Sequence, residues 1–130
     1  MHVEASDVGM DVVGKNKDHP VGGYFRRNVW GWRRLADCVQ LLAPVESAPC
    51  THWQSNDGKG LNAAQSVALA DKLDALIASG SVQKYIEVDD ATIKQAVAQG
   101  DKYADWYSLE LNDVREFSAF LRDSGGFKIW

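Results

Sequence analysis

Between Tyr24 and Arg34 the chain reads Tyr-Phe-Arg-Arg-Asn-Val-Trp-Gly-Trp-Arg-Arg, four arginines and four aromatic rings with no acidic side chain among them. Arginine and tryptophan combine large contact area with directional donors and few competing conformers, which is why both recur at binding hot spots. The chemistry on offer is recognition of negative charge by guanidinium groups around an indole. On a helical wheel Trp32 joins the apolar arc, whereas Trp30 falls opposite it with Leu41, and Arg26, Arg27, Arg33 and Arg34 stand three or four residues away. Two readings follow. In the first, the arginines stack on a partly exposed indole that another element covers, each contact adding about 0.5–1 kcal/mol. In the second, Trp30 and its arginines anchor a partner, either an anionic protein surface or, more weakly, a nucleic acid with phosphates on the arginines. Gly31 costs a helix about 1 kcal/mol relative to alanine and so marks a place where another backbone can come close.

A second cluster, Ser55-Asn56-Asp57-Gly58-Lys59-Gly60, precedes a helix start, where free backbone donors can cradle an anion. It lacks the spacing of a phosphate-binding loop or a dinucleotide fingerprint, and its oxygen ligands do not recur as a calcium loop requires. Asn56, Asp57 and Gly58 therefore stand as a structural turn with an Asx-type bond from Asp57, or as the edge of an anionic-ligand or small enzyme site. Cys50-Thr51-His52, with Cys38 upstream, has no paired spacing for zinc and no third group to orient a cysteine nucleophile. Both thiols are expected to be reduced and to pack as small hydrophobes. Asp89-Asp90 reads as a helix cap and Asp101 with Asp105 as a solvated turn. No catalytic residue, metal ligand or cofactor is assigned.

The elements that must position these groups are legible in outline. Met10 to Val13 suggests a short strand, followed by a turn-rich loop to Gly23, so that residues 1–23 form a strand-and-loop arm. Phe25, Val29, Trp32, Leu35, Ala36, Val39 and Leu42 predict one helix over Tyr24 to Ala43, stopped by Pro44. Val45 to Gly60 reads as loop. Asn62 with Gln65 forms a capping box for a helix that Gly80 ends, with Leu69, Leu73, Leu76, Ile77, Ala70 and Ala63 as its buried stripe. Ser81 to Val88 suggests a strand, with a helical continuation as the alternative, and Asp89 or Asp90 then caps a short helix to Ala98 that Gly100 ends. Trp106 to Leu111 alternates like a strand. Asn112 caps a last helix bearing Val114, Phe117, Phe120 and Leu121, Gly125-Gly126 stops it, and Phe127 to Trp130 docks as an edge strand. The expectation is a single α+β domain over 1–130, with three to four helices on one face of a small sheet and a βαβ or helix-on-sheet unit in its last quarter.

Composition narrows the function classes. A chain of 130 residues with 45% hydrophobic and 25% charged content can bury a core without staples. No apolar run approaches the roughly 20 residues of a membrane span, and the first residues lack a secretory pattern, so the expected residence is cytoplasmic. The net charge of −4 conceals an asymmetry: outside Tyr24–Arg34 the chain has 10 basic and 18 acidic side chains. A pI of about 5.2 disfavours broad nonspecific coating of nucleic acid but leaves a local patch open.

Three stretches, Gly23 to Arg33, Ser55 to Leu61, and Asn112 to Phe117 with Phe120 to Phe127, resemble a family of uncharacterised bacterial and phage-associated proteins. The resemblance touches both ends and the centre of the chain and implies a shared fold without a mechanism. Some members carry cysteine pairs between the second helix and the C-terminal unit; this chain has no cysteine after Cys50, so the resemblance implies no zinc ribbon here. By analogy a mobile-element setting favours a small protein that binds a host or phage protein. The function expected is thus a noncatalytic protein-interaction module using Arg26, Arg27, Trp30, Arg33 and Arg34. The alternatives are a small enzyme or ligand-binding domain near Asn56–Gly58, and weak nucleic-acid binding.

Overall fold

The computed structural model describes residues 9–101 and 108–130. Its first strand, β1 (Gly9–Gly14), alternates half-buried and buried positions, as expected of one face on a core and one toward water. A loop follows in which His19 Nδ1 accepts from the backbone N–H groups of Val21 and Gly22, and the chain returns as β2 (Tyr24–Asn28). The helical pattern expected from Tyr24 is therefore interrupted: the first five residues alternate exposed and buried along a strand paired antiparallel to β1, with Val12 opposite Phe25. Phe25 reaches the core by either periodicity, which is why the wheel placed it correctly for the wrong reason. The helix itself, α1 (Val29–Leu42), begins where the Asn28 side chain accepts from the Gly31 N–H. Trp32, Leu35, Ala36 and Val39 are buried on it as the arc predicts.

Beyond α1 comes a single turn, α2 (Pro44–Ser47), and then a stretch without regular structure that nevertheless carries a core residue, Trp53. The Trp53 indole stacks on Trp32 at 6.1 Å; Trp32 Nε1–H donates to the Trp53 carbonyl and Trp53 Nε1–H to that of Ser47. Two buried indoles thus satisfy their donors on the backbone that brings them together. The Asn-Asp-Gly turn leads into β3 (Gly60–Asn62), and α3 (Ala63–Ala78) starts with the expected Asn62/Gln65 capping box. Leu69, Ala70 and Leu73 are buried, Leu76 and Ile77 pack at the margin, and Ala63 is exposed in the first turn.

Gly80, at φ +84°, joins α3 to α4 (Ser81–Ala98). Ser81 to Val88 is thus helix rather than strand: Val82 and Ile86, four residues apart, are buried while Val88 is exposed, a period that a strand cannot produce. Asp89 and Asp90 lie inside this helix, not at a cap, and Asp89 meets Arg34 across to α1. Trp106 and Tyr107, the start of the anticipated strand, and Asp105 lie outside the described residues. The described end of that stretch, Ser108 to Glu110, is not strand, and Leu111 opens α5 (Leu111–Ser124). The cap of α5 is Glu110, paired reciprocally with Asp113, two residues before the expected cap, Asn112, which lies inside the helix. Val114, Phe117, Phe120 and Leu121 are buried, and Gly125 and Gly126 end the helix with positive φ.

The last strand, β4 (Gly126–Ile129), is interior. Among the described residues the sheet order is β2-β1-β4-β3 with every pairing antiparallel, so β4 joins β1 on one side to β3 on the other, and no βαβ unit forms there. Phe127 and Ile129 are buried accordingly. Among the described residues five helices, the three to four expected exceeded by the single turn α2, pack on this sheet in an α+β arrangement. Phe25, Trp32, Trp53, Phe117, Phe120 and Phe127 form its aromatic centre, with ring centroids 5.2 to 6.4 Å apart. Such pairs add about 0.5–1.5 kcal/mol each beyond the area they bury.

Candidate binding surface

The strand-to-helix change at Asn28 disperses the four arginines. Arg26, on the outward side of β2, lies 3.3 Å from Asp11. Arg27 points the other way: its guanidinium covers the Phe25 ring at 4.4 Å, bonds Asp113 at 3.2 Å and Glu116, and caps the Arg26 carbonyl. Arg34 turns toward α4 and Asp89 at 3.3 Å. Among the described residues only Arg33 lies over the Trp30 ring, at 5.4 Å, and it pairs with no described carboxylate. The expected ring of guanidinium groups around Trp30 is thus one cation on one indole. Trp30 remains 40% exposed, and along α1 it is followed at helical spacing by Arg33, Asp37 and Leu41, all exposed, Leu41 to 66%. That ridge runs about 16 Å at 1.5 Å per residue. Gln54 braces its middle by donating to the Arg33 carbonyl and to Asp37 Oδ1. Gly31 meets no foreign backbone within 4 Å; the nearest atoms to an added Cβ belong to the Asn28 and Arg27 side chains.

Where α1 and α5 begin side by side, a cleft of about 260 Å³ is lined by Arg27, Asn28, Gly31, Ser108, Glu110 and Asp113. Its polar groups are engaged with one another: Arg27 with Asp113, Asn28 with the Gly31 N–H, and Asp113 with the Glu110 N–H. Ligand sites usually exceed about 300 Å³ and hold convergent groups free for the ligand.

The Asn-Asp-Gly turn serves the sheet. Asp57 accepts from His52 Nδ1 at 2.5 Å, and that bond, aided by the backbone N–H groups of Lys59 and of Asp57 itself, holds its carboxyl below the ordinary range. Asn56 is exposed, Gly58 donates its N–H to the Ile129 carbonyl, and Gly60 lies in β3. At the start of α3 the Gln65 N–H is already taken by the Asn62 side chain. Gly58, at φ +86°, also seats Trp130: an added Cβ would lie 2.6 Å from the indole. Cys38 and Cys50 are buried free thiols; burial pushes Cys38 up to about 12, with Asp89 adding to it, and Cys50 to about 11. Neither is an activated nucleophile. Among the described residues no group of three or more His, Cys, Asp or Glu side chains is placed to hold a metal ion, and no helix is long and apolar enough to cross a membrane.

One surface escaped the sequence reading. Tyr24 and Trp130, 54% and 52% exposed, share the outward face of the sheet with Arg26 and Lys128. The signal was an alternation, Tyr24/Arg26 and Lys128/Trp130, hidden for the first pair by its reading as helix. No protein-family model, curated protein or solved structure matches the chain.

Proposed function

We propose that this protein is a noncatalytic interaction module that takes an anionic surface of a partner protein on the solvent ridge of α1. The observation that carries this reading is the exposed indole of Trp30 with the Arg33 guanidinium over it, a cation with no described carboxylate of its own. Leu41 on the same ridge, and Val45 beyond it at 77% exposure, extend the apolar contact area. An indole, a guanidinium with no described carboxylate and, two turns beyond them past Asp37, an aliphatic side chain lie along one helix face, the kind of surface by which helices meet partners. Of the arginine set, Arg33 is the direct contact, while Arg26, Arg27 and Arg34 fix the strand, α5 and α4 around it.

The test is affinity capture with wild type, Trp30→Ala and Arg33→Glu baits beside thermal melts of each. The expected outcome is loss of the same captured protein with both variants at nearly unchanged melting temperature. A large drop in melting temperature for Trp30→Ala would make the indole a core residue, and capture that survives Arg33→Glu would remove the anionic partner.

A further inference from the structure

The outward face of the sheet has a regular arrangement of chemistry. Because β1 pairs Val13 with both Tyr24 and Lys128, these three side chains form one row across the strands. In the next row Asp11 stands between Arg26 and Trp130, whose N–H donates to the Asp11 carbonyl at 2.7 Å. Aromatic and cation therefore alternate around a square, Tyr24 and Trp130 on one diagonal, Arg26 and Lys128 on the other. Lys15, whose N–H bonds the Gly126 carbonyl, continues the outward set of β1 and is exposed. Lys15 and Lys128 form no ion pair with a described residue, in a chain whose net charge is −4.

Both rings are held in place. The Tyr24 hydroxyl donates to Asp11, the same carboxylate that meets Arg26, so Asp11 is already engaged. Trp130 lies against Gly58, where the absent Cβ lets the ring lie close to the turn. Half-exposed rings fixed in this way meet a ligand with little entropy left to lose.

We propose that this face binds single-stranded nucleic acid, with bases stacked on Tyr24 and Trp130 and phosphates met by Lys15, Lys128 and Arg26. Charge complementarity selects the phosphate backbone, and the two aromatic faces select bases over other polyanions. Spacing selects single strands. Two strands at about 4.8 Å and two residues at about 3.4 Å put the Cα atoms of Tyr24 and Trp130 about 12 Å apart, and the Trp130 ring lies over Gly58. Bases stacked on both are too far apart to be stacked neighbours, so the strand must splay between them, which a duplex resists. The site is separate from α1 and leaves the ridge proposed above to its protein partner.

The experiment is fluorescence anisotropy with labelled oligo(dT), oligo(U) and a duplex of equal length, from about 50 to 200 mM salt, for wild type and three variants. Single strands are expected to bind more tightly than the duplex, with a log–log salt slope of about −2 for three cations on phosphates. Trp130→Ala should weaken binding about tenfold through lost stacking. Lys15→Glu/Lys128→Glu, at exposed positions that threaten no packing, should abolish it, and Trp30→Ala should leave it unchanged. Absence of binding at about 50 mM salt, equal affinity for duplex, or equal binding of a polyglutamate competitor would each overturn the proposal.

Discussion

The two cysteines show how a side chain with reactive potential is disarmed by position. Cys38 lies on the buried side of α1, where burial and the neighbouring Asp89 charge both oppose the thiolate; Cys50, near Asp57, is shifted the same way. Since the thiolate is the reacting form, raised values of about 12 and 11 leave almost none of it at neutral pH. A disulfide-exchange reagent should therefore label neither residue in the native protein at pH 7–8, while both should react promptly in denaturant; rapid native labelling of Cys50 would revive it as a nucleophile beside His52. Trp53 is the opposite case, a residue whose importance the sequence concealed. It stands in an irregular stretch bounded by proline, glycine and polar residues, where no periodicity marks a core position, yet it stacks on Trp32 with both indole donors satisfied. A lone tryptophan in a polar loop was the available signal, because so large an apolar group seldom stays in water without a function.

Elements are legible where end signals and period agree, and ambiguous where only one of the two is present. The Asn62/Gln65 box and the left-handed Gly80 marked α3 at both ends, and α5 showed its four buried positions despite a cap shifted to Glu110. For α4, β-branched residues suggested a strand, but the spacing Val82, Ile86, Ile93 is helical and all three are buried. Tertiary packing outweighed the small propensity cost of those side chains. The β2–α1 junction is hidden for a subtler reason: Phe25 satisfies both periods, and the cap that marks the change is Asn28, whose side chain takes the Gly31 N–H. Of the candidate site, the helical wheel put Trp30 opposite the core arc but left open whether another element covers it, and the dispersal of its arginines depends on that junction. The turn before β3 permits a sharper expectation. Gly58→Ala places an L-residue at φ +86° and drives a methyl group toward Trp130. The cost should be about 1–2 kcal/mol in urea denaturation, with a change in tryptophan emission that a Trp130→Phe background abolishes; an unchanged spectrum would mean the indole is not seated there.

At the scale of the molecule, the sheet depends on the strand that arrives last in the chain. β4 supplies Phe127 and Ile129 to the core and is the hydrogen-bonded link between β1 and β3. Deleting residues 126–130 should abolish cooperative unfolding by circular dichroism, whereas Trp130→Ala, which spares the strand, should not; a truncated chain that still melts cooperatively would show the helices to be self-sufficient. The surfaces proposed for binding lie on either side of this shared core, α1 above it and the outward strands below. The interior position of β4 also bears on how the protein comes to be made. Val12 must find Ile129, and Leu61 must find Phe127, before the sheet has more than one hairpin. With contacts of such long sequence separation, loop closure precedes its reward, which slows folding relative to a helical bundle of this size. A nascent chain still missing its final strand would present β1 along a bare edge, open to the wrong partner until β4 emerges to fill the gap.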